Sequence, residues 1–330
     1  MTYRVSPFLW PVLAAASPVL VPALLLRNRH YRRGLERATR ENERRIASAT
    51  VLDLPALSAL SLTVLSDWEA EPGFRSEAGV SYVLEGERGA ILFDVGYGDA
   101  SGVVVENARK LGIGLSDVDA VVISHLHLDH MGGMEAQKAR SVAVPSDLGA
   151  PDGKACHVPD EAVAPGFTTH VVDAPRVLEQ GIATTGPLAR SMFFFGTIEE
   201  QVLVARLEGE GLAVITGCGH PTVEVILEMA RHLSDEPVHT LCGGLHFPLQ
   251  RSRARMWGLE AQRFFGTGKP PWSPIDDADL GRAIELINAA GVRRVLLSAH
   301  DTDDHAIARM KQELDAEVRV LRAGKTYVLR

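Results

Sequence analysis

A chain of 330 residues, 46% hydrophobic and 23% charged, has ordinary globular composition and can bury a full core without disulfide or structural-metal support. Its formal net charge of -8 gives no global attraction to phosphate backbones, and no basic patch in the body of the chain offsets it, which argues against a nucleic-acid partner. Three widely spaced cysteines, Cys156, Cys218 and Cys242, form no C-x-x-C pair, which argues against a disulfide framework and for a reducing compartment.

Residues 6–26 carry no charged side chain and are long enough to cross a hydrocarbon core of roughly 30 Å as a helix, although Pro7, Pro11, Pro18 and Pro22 oppose a regular one. Only Arg4 precedes the stretch, whereas Arg27, Arg29, Arg32, Arg33, Arg37 and Arg40 follow it. The positive-inside tendency then keeps the rest of the chain on the cytoplasmic side of a membrane. A peripheral or partner-docking segment and a signal peptide with a small-residue site near Ala14 are the alternatives, and in the former case the protein is cytoplasmic. The expected organisation is an apolar anchor over residues 1–26, touching the membrane through residues 7–26, a solvated charged helical linker over 27–50, and a single folded domain over 51–330.

From residue 51 onward short apolar strands alternate with helical patterns, the grammar of a layered α/β fold. Strands are predicted over residues 80–84 and 90–94, a helix over 100–111, and a buried strand over 118–124. A second half repeats this with a hairpin of 201–206 and 212–216, a helix over 223–233 and a strand over 238–241. The end adds a helix over 280–290, a strand over 292–298, a helix over 305–314 and a closing strand pair near 318–329. An aromatic and arginine-rich segment around Trp257, Phe264, Phe265 and Trp272 interrupts this body and marks a lid insertion over residues 247–275, or an irregular packed one.

At the end of the strand over 118–124 stands His125-Leu126-His127-Leu128-Asp129-His130, where alternate histidines in extended geometry project to one side. Asp129 and His130 follow where the chain turns, and Gly132-Gly133 lets the backbone pass close to the same point. Imidazole and carboxylate together suit Zn²⁺, Fe²⁺ or Mn²⁺, and such a site lowers the pKa of bound water to near 7.

Residues 124–133, Ser-His-Leu-His-Leu-Asp-His-Met-Gly-Gly, resemble the H-x-H-x-D-H signature of the metallo-β-lactamase superfamily. More narrowly, Gly217-Cys218-Gly219-His220, Gly243-Gly244-Leu245-His246 and His300-Asp301-Thr302-Asp303 are similar to the branch named for the dihydropterin synthase of methanopterin biosynthesis, with departures at Gly219, Asp301 and Asp303. The resemblance implies an αββα four-layer sandwich and two divalent metal ions, with His125, His127 and His220 on one and Asp129, His130 and His300 on the other. It also implies that Asp94 supports the metal loop from behind. His246 is left open between ligand, substrate contact and structural residue, and is named with Asp129 as catalytic. At the position where many relatives place a bridging aspartate stands Cys218; His220 is favoured as the ligand, with Cys218 packing. The remaining histidines read as structural.

The activity this implies is hydrolysis of an ester, lactone, thioester or phosphoester of a small molecule by metal-activated water, with Asp129 orienting that water. Alternatives are a pterin-type non-hydrolytic transferase and a membrane-tethered protein that uses metal to bind or sense a ligand.

Overall fold

The computed structural model describes residues 10–253, 262 and 266–330. Seven strands form one sheet in the order β15-β2-β3-β4-β5-β6-β7, with β2 Leu60–Ser66, β3 Ser81–Gly86, β4 Gly89–Phe93, β5 Ala120–Val122, β6 Ala155–Val158, β7 Thr168–Val171 and β15 Thr326–Val328. The second sheet runs β14-β13-β12-β11-β10-β9-β8, from β8 Arg176–Val177, β9 Ala183–Met192, β10 Gly196–Leu207, β11 Gly211–Thr216 and β12 Val238–Gly243 to β13 Arg294–Leu297 and β14 Glu317–Val320. The short β1, Ala56–Leu57, pairs with β10 beside this path.

Strand alternation explains why the layers stack. Ile91 and Phe93 of β4 point between the sheets and meet Leu203, Ala205, Ala213 and Ile215 there. Ala90 and Leu92 point the other way, onto Val104 and Ala108 of α2, Val103–Leu111. In the second sheet Val202, Val204, Leu212 and Val214 face outward onto α5 Val223–Leu233, α6 Asp277–Ala289 and α7 Asp304–Glu313. The order is helix, sheet, sheet, helix, which is the four-layer sandwich expected.

Several elements depart from the sequence reading. The two closing strands do not pair with each other: β14 joins β13 in one sheet and β15 joins β2 in the other, because Leu321 and Tyr327 pack between the sheets and the chain crosses there. The long β9 went unrecognised because it is buried on both faces except near Arg190 and so shows no alternation.

Residues 27–48 are not a free linker. They continue one helix, α1, Trp10–Ser48, whose second half docks along β9. Asn42 donates to the Ala189 carbonyl at 2.9 Å and accepts from its N–H at 2.7 Å, and Arg45 reaches the Pro187 carbonyl at 2.9 Å and Glu199 at 2.6 Å. Gly34 permits the approach, since a Cβ there would lie 2.5 Å from Ser191 Oγ. Asn42 and Arg45 are thus spent on β9 and β10, while Arg32, Arg33, Glu36, Arg37, Arg40, Glu43 and Arg44 stay exposed as the sequence reading expects. Among the described residues no helix is long and apolar enough to cross a membrane, and Pro18 and Pro22 lie inside α1.

Candidate metal centre

The centre is built where the chain leaves the ends of β4, β5, β11, β12 and β13. β5 stops at Val122, so Ser124 to His127 continue as extended chain and His127 opens the one-turn helix α3, Leu128–Met131, which carries Asp129 and His130. Three side-chain groups converge within 4.8 Å: His125, His127 and His220; Asp129, His130, Cys218 and His300; and Cys218, His220 and His246. In the first, His127 Nδ1 lies 3.0 Å from His125 Nε2 and 3.2 Å from His220 Nε2. In the second, Cys218 Sγ lies 3.1 Å from His130 Nε2 and 3.2 Å from His300 Nε2.

Hydrogen bonds behind the rings fix which nitrogen faces the centre. In its ionised form Asp94 accepts from the Ser124 hydroxyl and from His130 Nδ1, both at 2.7 Å, so His130 then presents an unprotonated Nε2. Having given its own proton to Asp94, Ser124 Oγ accepts from His125 Nδ1 at 3.0 Å, which leaves His125 Nε2 unprotonated as well. The same device recurs at His300. Its Nδ1 donates to Ser298 Oγ at 2.6 Å, and that hydroxyl donates to Asp67 at 2.6 Å, as does Tyr82 at 2.8 Å. Glu200 on β10 shapes the loop after β11 by accepting the N–H groups of Gly217, Gly219 and His220 at 3.2, 2.8 and 2.8 Å.

Burial drives the titration of these groups. It lowers all the ring histidines, His127 to about 3, while neighbouring imidazoles push the same way on His125 and His220. It raises Asp94 to about 8 and Glu200 to about 7, against the hydrogen bonds from Ser124 and from Gly219 and His220. Neutral imidazole nitrogens brought within about 3 Å of one another, beside a thiol and a carboxylate, form a donor set that suits divalent cations.

Every residue that sequence reading placed in the centre is therefore found at it, and Cys218 is found facing inward rather than packed away from it. His246 borders it: its ring lies 4.6 Å from that of His220, its N–H donates to Asp301 at 3.0 Å, its Nε2 meets the Gly266 carbonyl, and its buried Nδ1 has no hydrogen-bond partner. His157 and His170 stack on each other at 5.2 Å between β6 and β7, and His232, His239 and His305 also lie away from the centre. Sequence reading missed the roles of Asp67, Ser124, Ser298 and Glu200; a serine next to or two before a ligand histidine, Ser124-His125 and Ser298-Ala299-His300, was too short a signal to find them.

A cavity of about 440 Å³ opens over the centre, walled by Leu128, Met134, Met192, Phe195 and Tyr97. A second, of about 350 Å³, adjoins it at Met192, His220 and His246 and is closed by Tyr31 and Leu35 of α1. Of the expected lid, residues 254–261 and 263–265, with Trp257, Phe264 and Phe265, lie outside the described residues. Its described part touches the centre: Gln262 donates to the His300 carbonyl at 3.2 Å, and Gln262 and Gly266 line the larger cavity.

Comparison with known proteins agrees with this geometry. The family model for the metallo-beta-lactamase superfamily matches residues 76–232, which hold Asp94, the run 125–130, Cys218 and His220. The crystal structure of Tm1679, described as a metal-dependent hydrolase of the beta-lactamase superfamily, is 25% identical, with a TM-score of 0.58, and covers 81% of this chain and 98% of its own. The metallo-beta-lactamase fold protein YhfI from Bacillus subtilis is 14% identical over 82% of this chain and 99% of its own, with a TM-score of 0.49. Human tRNase Z, short form, is 13% identical over 81% and 98%, with a TM-score of 0.46. No curated protein matches. With the four-layer fold, the converging ligand groups and the match over residues 76–232 together, the chain has the metallo-β-lactamase fold and is an enzyme of the metal-dependent hydrolase type, similar to proteins of that superfamily.

Proposed function

We propose that the protein hydrolyses an ester, lactone, thioester or phosphoester of a small molecule at a centre of two divalent metal ions, zinc foremost, with iron or manganese as alternatives. The observation that carries this reading is the division of the ligand atoms into two neighbouring groups, His125, His127 and His220 beside Asp129, His130, Cys218 and His300. Cations held there supply Lewis acidity and make water acidic enough to ionise near neutral pH.

The chain's own residues supply the rest. Asp94 and Asp67, through Ser124 and Ser298, hold the imidazoles in the tautomers that present a lone pair to the centre. Asp129, at the mouth of the cavity, accepts a hydrogen bond from the attacking water and aims it. His246, held by Asp301, faces both cavities and is placed to contact the substrate. Cavities of this size take a small molecule, and the chain's acidity disfavours nucleic acid. The three loops that resemble the dihydropterin synthase-like branch meet at this centre, which supports placing the chain near that branch. The arginines following the apolar start of α1 support a body on the cytoplasmic side of a membrane.

Metal analysis of the purified protein, followed by assays against ester, lactone and phosphodiester panels, tests the reading. Close to two metals per chain and turnover on one panel are expected. Protein that takes up no transition metal from replete medium would refute it.

A further inference from the structure

The first half of α1 has no role in the centre, yet it is the largest exposed apolar feature described. Residues 18–26 are all exposed, with Val19 at 74% and Leu25 at 64%, and no charge interrupts them. A contiguous apolar run of this kind on a folded protein marks a contact surface. Arg27, Arg29, Arg32 and Arg33 follow at once. The phosphates of a lipid surface complement these arginines. Among the described residues no helix is apolar enough to cross a membrane, which fits an arm that lies in one face of a bilayer.

The root of this arm is the wall of the active-site mouth. Arg27 Nε donates to the Phe193 carbonyl at 2.8 Å, and its guanidinium lies 5.8 and 5.2 Å from the rings of Phe193 and Phe194. Phe193 in turn meets Tyr31 at 5.7 Å and Trp272 at 5.2 Å. The next residue, Phe195, lies 5.9 Å from the His127 ring. Phe195, 53% exposed, lines the larger cavity, and Trp272, 56% exposed, packs on Phe193 at the root of the arm. Behind the opening the larger cavity is mostly apolar, and the adjoining one holds Arg190, Lys269 and Arg282. Asp279 pairs with Lys269 at 2.5 Å and with Arg282, and its charge also acts on Arg190 without forming an ion pair with it among the described residues.

We propose that the enzyme works at a lipid surface on an amphiphile, whose acyl chain enters the apolar cavity and whose anionic group meets Arg190, with the scissile ester or phosphoester bond between them. This deepens the hydrolase reading and rests on it. Water adds its oxygen to the acyl carbon or phosphorus, the C–O or P–O ester bond breaks, and the leaving oxygen takes up a proton.

The test uses full-length, metal-loaded protein with vesicles of phosphatidylcholine and phosphatidylglycerol. A triple variant, Val19→Glu, Leu20→Glu and Leu24→Glu, changes exposed side chains only, and circular dichroism checks its fold. Wild type is expected to float with the vesicles, and the variant's bound fraction to fall at least tenfold. Hydrolysis of vesicle-borne p-nitrophenyl palmitate falls with it, while soluble p-nitrophenyl butyrate is cleaved within twofold of wild type. Arg190→Gln raises KM for monopalmitoyl phosphatidate more than it lowers kcat. A variant that floats as well as wild type overturns the proposal, as does a wild-type dimer that the variant dissolves without any vesicle binding. If vesicle binding behaves as expected but neither ester nor phosphatidate is cleaved, the hydrolase reading fails while lipid docking stands.

Discussion

Cys218 and His220 sit two residues apart on one loop and share a group with His246, yet otherwise face different ligands: His220 faces His127 while Cys218 lies between His130 and His300. His220→Ala is therefore expected to lower metal content from two per chain toward one and to abolish nearly all turnover. Cys218→Ser, with a harder and shorter side chain, leaves the His125 group filled and weakens the other. Metal content by elemental analysis separates the two; loss confined to the serine variant would reverse the assignment. Behind His300, Asp67 accepts from both Ser298 and Tyr82, so Asp67→Asn loosens the ring without touching a ligand. A loss of about 10–100-fold in metal affinity is expected, with an unchanged far-ultraviolet spectrum. Affinity equal to wild type would show that Ser298 alone holds the ring.

At the scale of the element, the loop between β11 and α5 explains one departure from the branch motif. Gly219 has φ of 73°, and a Cβ there would stand 2.6 Å from the Gly244 carbonyl oxygen. Gly219→Ser, which would restore the residue usual in that branch, is expected to cost about 1–3 kcal/mol and to disturb His220. Thermal unfolding of metal-free protein measures this, and an unchanged midpoint would show that the loop yields freely. Elements with a clean period were legible in the sequence: α5 is found over the residues expected, and the hairpin of β10 and β11 falls where its Gly-Glu-Gly turn puts it. Elements without one were not. β6 to β9 carry short or doubly buried patterns, and the destinations of β14 and β15 in opposite sheets depend on cross-chain packing that no local pattern encodes. Likewise the ligands were legible because their spacing is chemical, whereas Asp67 and Glu200 act across the fold from strands or loops far from the residues they steady.

For the whole molecule, burial of so many ionisable groups ties stability to metal. Asp94 at about 8 and Glu200 at about 7 hold protons in the folded chain that an unfolded chain releases near pH 4. Unfolding of metal-free protein therefore releases protons between those limits, and stability falls as pH rises. The depressed imidazoles act oppositely, since the unfolded chain takes up protons below about 6.5, and stability then rises with pH up to that point. Above it only the carboxylate contribution remains. A dication beside Asp94 and Asp129 keeps them ionised. Between pH 6.5 and 8 the Tm of metal-free protein should fall while that of loaded protein stays level, so that the gain from metal widens. Scanning calorimetry checks this; parallel slopes would contradict it.

The pairing of Asn42 with both main-chain groups of Ala189 has a consequence for assembly. β8 covers β9 only at Ala183 and Thr184, so beyond that point the outer side of β9 is an open sheet border, and Asn42, Arg45 and Gly34 of α1 close it in place of another strand. An uncovered border of this kind templates the strands of neighbouring molecules. Removing residues 1–48 would thus create a sticky particle rather than a minimal enzyme: size-exclusion chromatography should show it forming concentration-dependent oligomers, whereas removal of residues 1–17 alone should leave the elution of the remaining chain undisturbed. The helix is, in this sense, the protein's guard against polymerisation.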